Sequence, residues 1–191
     1  MSTPPFPQWC EAAPDAEFSA SSDCAARIDR FERRIRIRNG IEYGAGAMVC
    51  VLFTAAAIAA ASVSEWLIAI AFALTVVGAI VVMKGLYTRG SNVDRRPEDP
   101  CLVHLERQYR RQYEALRDVP KWYIAPLIPG IAMFYAVVSA NVAAKAGWHE
   151  ALLGLTGPLA LTLAIFIGVA AANWIAARAL KRKLALLEDL A

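Results

Sequence analysis

Four stretches of the chain are apolar at nearly every position and contain no Asp, Glu, Lys or Arg: residues 43–62, 66–83, 122–144 and 151–177. A bilayer core about 30 Å thick is crossed by roughly 20 helical residues. A charge at mid-helix costs about 2.5–3.5 kcal/mol even on the most lenient insertion scale. The pattern predicts four transmembrane helices. Core helices of soluble proteins are shorter and keep a polar face. The links at residues 63–65 and 145–150 are so short that the spans form two hairpins.

Between and around the spans the period changes. From Cys24 to Arg38, Ile28, Phe31 and Ile35 recur at helical spacing, with Arg on the opposite face. Ser22 or Asp23 can cap this helix, and Asn39-Gly40 is expected to end it before the first span. Residues 90–100, with Gly90, Ser91, Asn92, Pro97 and Pro100, read as irregular chain. A second amphipathic helix follows to Val119, with Leu102, Leu105, Tyr109 and Leu116 on its stripe and Tyr113 beside it. Pro126, Pro129 and Gly130 predict a kink in the third span, because proline removes a backbone donor and clashes with the preceding turn. Leu180, Leu184 and Leu187 carry the fourth span onward as a helix. The chain thus divides into a flexible tail (1–23), a basic amphipathic helix (24–40), a first transmembrane hairpin (41–87), a loop with an amphipathic helix (88–121), a second hairpin (122–177) and a helical extension (178–191). Tyr43 and Tyr123 hold comparable places in the two halves, whose residue identity is weak.

Charge placement orients this all-α integral membrane protein. Residues 1–40 hold six Arg, residues 84–121 nine basic residues and residues 178–191 four, leaving only Lys145 for the opposite side. The positive-inside rule puts both termini, the central loop and the amphipathic helices in the cytoplasm. The expected location is a bacterial inner (plasma) membrane, because Arg outnumbers Lys 15 to 5 and Ala is abundant, a GC-rich bacterial usage. Residues 1–23 lack the basic start and apolar core of a signal peptide, Ser2 excludes N-myristoylation, and there is no prenylation box. Trp66 and Trp148 suit the outer boundary, and Tyr43, Tyr87, Trp122, Tyr123 and Trp174 the inner one.

Composition agrees: 58% hydrophobic, 19% charged and a mean hydropathy of +0.40 over 191 residues. This excludes a disordered chain, a disulfide-stapled secreted domain and an ordinary soluble globule.

Candidate chemistry is sparse. Cys10, Cys24, Cys50 and Cys101 form no C-x-x-C pair, and neither a disulfide nor a zinc site is proposed. The two histidines, His104 and His149, fall on opposite sides of the membrane, so no metal site or cofactor is expected. No nucleophile–base pair or phosphate-binding glycine loop argues for an enzyme. Glu42 stands at the cytoplasmic edge of the first span. Its simplest partner is Arg38 at i, i+4; the alternative is a shallow coupling carboxylate in a transporter. Ala56 and Ala60, then Ala164, Gly168 and Ala172, recur every four residues, as do small residues where transmembrane helices pack closely. Gly44-Ala45-Gly46 reads the same way.

The basic segments suit anionic lipid headgroups or a protein, and their interleaved acids and lack of a reader motif argue against nucleic acid. The apolar stripes require burial, either together, on lipid or on a partner; the expected partner-binding residues are Trp9, Ile28, Phe31, Ile35, Leu102, Leu105 and Tyr109, each worth about 1.5–3 kcal/mol when a large side chain is fully buried. Trp9 serves either as a docking anchor or as a membrane-surface contact.

Arg33-Arg34-Ile35-Arg36-Ile37-Arg38-Asn39 with Glu42-Tyr43, and Leu105-Glu106-Arg107-Gln108, Leu116-Arg117, Trp122-Tyr123 and Pro126/Pro129-Gly130, resemble the signatures of a group of uncharacterised bacterial four-span membrane proteins. The resemblance covers roughly residues 27–135. Some members accompany extracytoplasmic-function sigma factors, which implies a membrane-bound anti-sigma-like regulator. The chain departs from zinc anti-sigma domains in lacking their His/Cys set. The expected function is a non-enzymatic membrane-anchored regulator or scaffold that binds a cytoplasmic protein, with a sigma factor as the partner the resemblance implies. The alternatives are a small transporter or channel, acting as a homo-oligomer, and a structural subunit of a membrane complex.

Overall fold

The computed structural model describes residues 21–94 and 100–188, with the side chains of residues 21–24 and 188 left aside. All regular structure among them is helical. Helix α1 (Ser21–Ser62) leads through residues 63–65 into α2 (Trp66–Arg89), and α3 (Cys101–Arg117) follows the connection after α2. A π-helical turn (Pro120–Ile124) and a 3-10 turn (Ala125–Leu127) lead into α4 (Ile128–Ala146), and α5 (Trp148–Glu188) completes the chain. Four helical stretches are long and apolar enough to cross a membrane, so this is a multi-pass membrane protein.

α1 has 42 residues and α5 has 41, so each is about 60 Å long at 1.5 Å per residue, twice a bilayer core. Asn39-Gly40 was expected to interrupt α1 and does not. The Asn39 side chain is drawn away from its own backbone: Nδ2 donates to the Gly90 carbonyl at 2.9 Å, and Oδ1 accepts from Arg38. A mid-helix glycine costs only about 1 kcal/mol, and packing on both sides outweighs it.

In the apolar half the helices pack in the order α1, α2, α4, α5. Phe53 meets Phe72 edge-on at 5.5 Å, and Phe72 meets Phe134 at 5.3 Å. The tightest crossing is α2 on the start of α4. A Cβ on Gly78 would collide with the Pro126 carbonyl oxygen, and one on Gly130 with Thr75. α5 joins α4 through the Tyr135 hydroxyl, 2.7 Å from Thr162 and 3.0 Å from the Pro158 carbonyl. Of the small residues singled out by spacing, Gly46 does pack closely, since a Cβ there would press on Met83, while nothing lies near Gly44. Ala164 and Gly168 are exposed, and nothing lies near Gly168, whereas Ala172 borders a small cavity with Glu42 and Tyr123. Spacing shows that such residues share a face; it does not show which face meets a neighbour.

The proline-rich entry to α4 departs from α-helix as expected. Pro126 and Pro129 have no N–H to continue the ladder. The chain instead closes a wide turn, Ala125 N–H to Pro120 O, and then a tight one, Ile128 N–H to Ala125 O.

At the basic end, the extensions of α1 and α5 meet α3. Ile28 and Leu105 are buried against each other, with Cys101, Tyr109 and Leu187 packed around them. Ile35, Leu180 and Leu184 are also buried. Cys101 is disulfide-bonded, contrary to the expectation of no disulfide, while Cys50 is free. Pair spacing along a chain does not reveal which sulfurs a fold brings within bonding distance.

Candidate functional site

The basic end is organised by a row of buried polar side chains on α3. His104, Gln108 and Gln112 are essentially inaccessible to solvent. They recur at i, i+4, i+8 and so share one face. Each must find hydrogen-bond partners to offset its desolvation. Gln108 Oε1 accepts from the Val93 amide at 2.7 Å, and its Nε2 donates to Asn92 Oδ1 at 2.7 Å. Gln112 Nε2 donates to the Gly90 carbonyl at 3.1 Å, and Arg38 Nη2 approaches its Oε1 at 3.4 Å. Asn92 Nδ2 donates to the Glu32 carbonyl at 3.3 Å. His104 Nε2 stands 3.2 Å from Glu32 Oε1, and its Nδ1 has no hydrogen-bond partner among the described residues. Arg111 donates to the Thr88 carbonyl and the Ser91 hydroxyl. Together these bonds fasten the connection after α2 between α1 and α3.

Beside this row lies an open cleft of about 810 Å³ between α1, α3 and α5. Arg27, Arg30 and Arg34 of α1 and Lys183 of α5 line it. Phe31, Leu105, Tyr109, Leu186 and Leu187 are its apolar lining. Phe31 packs edge-on against Tyr109 with centroids 4.8 Å apart, and the Lys183 ammonium lies 5.6 Å from the Tyr109 ring centre. Burial pushes the Tyr109 hydroxyl up from its ordinary pKa, against the opposing pull of Arg27. No carboxylate lines the cleft among the described residues.

The residues expected to meet a partner separate into three groups. Ile28, Ile35 and Leu105 are buried within the chain itself, so the burial assigned to a partner is supplied by α3 and α5. Phe31 and Tyr109 are part-buried and reach the cleft. Leu102 is half exposed and off the packed face. Leu102 stays on the stripe, but α3 turns the neighbouring His104–Leu105–Gln108–Gln112 side inward, where polar partners await it. Trp9 lies outside the described residues.

Glu42 pairs with Arg38 at 3.6 Å, as its spacing predicts. It lies between two small cavities, of about 220 and 110 Å³, both bordered by Tyr123. Among the described residues no group of three His, Cys, Asp or Glu side chains could hold a metal ion.

The inward role of His104, Gln108 and Gln112 escaped the sequence reading, although their four-residue spacing is visible there. Arg27, Arg30 and Arg34 were read only as part of a basic face suited to anionic lipid or a protein. Their meaning depends on Lys183, which approaches from a helix about 150 residues further along. Comparison of the chain with protein-family models, with curated proteins and with solved structures finds no match.

Proposed function

We propose that the chain is a non-enzymatic, membrane-anchored regulator or scaffold that binds a cytoplasmic protein. The observation that carries this reading is the convergence of α3 with the ends of α1 and α5 that extend past their apolar runs, into a packed layer with an open cationic cleft. A helix that served only to span would need no such extension. The spans are read as two hairpins, α1 with α2 and α4 with α5, in a bacterial inner membrane with both termini cytoplasmic, as the distribution of basic residues supports. The sigma-factor partner implied by the resemblance is one candidate for the bound protein, and anionic headgroups meet the basic residues nearest the spans.

The test is photo-crosslinking in living cells from the full chain, with the photoreactive residue at exposed Leu102 or Leu186. Transfer to a discrete soluble protein is expected. Crosslinks confined to lipid or to the chain itself would overturn the reading.

A second reading, a small oligomeric transporter or channel, is favoured by one observation: Glu42 sits between two cavities at the edge of the first span, next to the π-helical turn. Solute flux in proteoliposomes that is abolished by Glu42→Gln would establish it. Purification as a stable hetero-complex would instead mark a structural subunit.

A further inference from the structure

We propose that the cleft between α1, α3 and α5 is a docking groove for an acidic amphipathic helix of a soluble protein. The proposal deepens the regulator reading and rests on it. Arg27, Arg30 and Arg34 are spaced by three and four residues, so they line one edge of α1 over about 10 Å. Lys183 faces them from α5. Phe31, Leu105, Tyr109, Leu186 and Leu187 add apolar surface to the same cleft. A helix with carboxylates at i, i+3 and i+7 repeats the spacing of the arginines, and its apolar neighbours at i+4 fall on that apolar surface.

Three alternatives fit less well. Lipid headgroups extend only about 5–8 Å beyond the hydrocarbon on each side. Because α1 runs unbroken from the cleft to Tyr43, Arg34 lies about 14 Å and Arg27 about 24 Å beyond that boundary. A single phosphate could not reach cations spread over this length. A nucleic acid strand would need open aromatic faces on which bases stack. Phe31 and Tyr109 instead pack edge to face, and Lys183 approaches the Tyr109 ring. The other basic cleft, around Arg89, Arg107 and Arg111, differs in kind, since Glu114 and Asp118 line it too. Among the described residues, Arg27 and Arg34 make no ion pair, and Arg30 donates only to the Ala26 carbonyl of its own helix.

The experiment uses the full chain in nanodiscs of zwitterionic lipid. The probe is a fluorescent 20-residue helical peptide with Glu at i, i+3 and i+7 and Leu along the adjoining stripe. The combined variant Arg27→Gln, Arg30→Gln, Arg34→Gln is expected to weaken binding at least tenfold. Lys183→Gln alone, on a different helix, is expected to weaken it about threefold. Lys181→Gln with Arg182→Gln, exposed and off the cleft, should leave it unchanged. A peptide with Lys in place of Glu should not bind. The proposal is overturned by equal affinity for the Lys peptide, or by triple and Lys183 variants that bind like wild type. It is also overturned if deletion of residues 2–20, which hold Glu11, Asp15 and Glu17 and no basic residue, tightens peptide binding tenfold, since that stretch would then be the occupant. Peptide binding that requires anionic lipid in the disc would overturn it as well. A cellular crosslink to a soluble protein that persists in the triple variant would remove the groove and leave the regulator reading intact. Groove binding in vitro without any cellular crosslink would do the reverse.

Discussion

Nε2 of His104 stands 3.2 Å from the carboxylate of Glu32, joining α3 to α1 across 72 residues of sequence. The imidazole is wholly buried and this is its only hydrogen bond among the described residues, since Nδ1 has none. Glu32→Ala strips the ring of that partner. A buried polar group left unsatisfied costs about 1–3 kcal/mol. The expected result is a lower midpoint of thermal unfolding in detergent, with Glu32→Gln, which keeps an acceptor oxygen, recovering part of the loss. An unchanged midpoint in Glu32→Ala would show that the contact contributes nothing.

Gln108 makes two 2.7 Å bonds to the connection after α2, at the Val93 amide and the Asn92 side chain. Gln108→Leu keeps the bulk and removes both. Amide hydrogen exchange at residues 91–94 should accelerate by tenfold or more, while exchange in the spans stays as in wild type. Retained protection at Val93 would mean that another acceptor holds the connection.

The crossing of α2 on α4 has no room for a methyl group at Gly78 or Gly130. Gly78→Ala and Gly130→Ala each force the helices apart and are expected to destabilise the protein by about 1–3 kcal/mol. Gly168→Ala, which meets open space, should be neutral or slightly stabilising through its helix propensity. Unfolding curves for the three variants in one detergent distinguish the sites. Equal curves would show that the crossing is looser than described.

Ser64 adopts φ 65° in the link between α1 and α2, a left-handed conformation that costs an L-residue about 1 kcal/mol or more. Ser64→Gly relieves it and should raise the unfolding midpoint. Gly147, at φ 88° between α4 and α5, is the converse. Gly147→Ala should lower the midpoint, although no atom crowds the position. A fall in both variants would contradict the backbone geometry at Ser64.

The spans were legible from residue order because an uncharged apolar run is a local property: the cost of each charge in hydrocarbon is set where that charge sits. The ends of helices were less legible. Asn39-Gly40 carries a local stop signal, and a contact to Gly90, 51 residues away, overrides it. The inward face of α3 was not legible for a related reason. Periodicity ranks faces by apolarity, whereas α3 buries Gln108 and Gln112, whose hydrogen-bond partners come from the connection after α2.

Residue order alone therefore determined that the protein is helical, that four of its stretches suit a bilayer, and that nearly all its basic charge falls outside the two short links at residues 63–65 and 145–150. Tertiary structure decided which glycines touch, which apolar stripes close on one another, and which arginines share a groove with Lys183. The division follows from range. Hydropathy and helical period act over neighbours along the chain, while shape and hydrogen-bond partners are supplied by segments that meet only after folding.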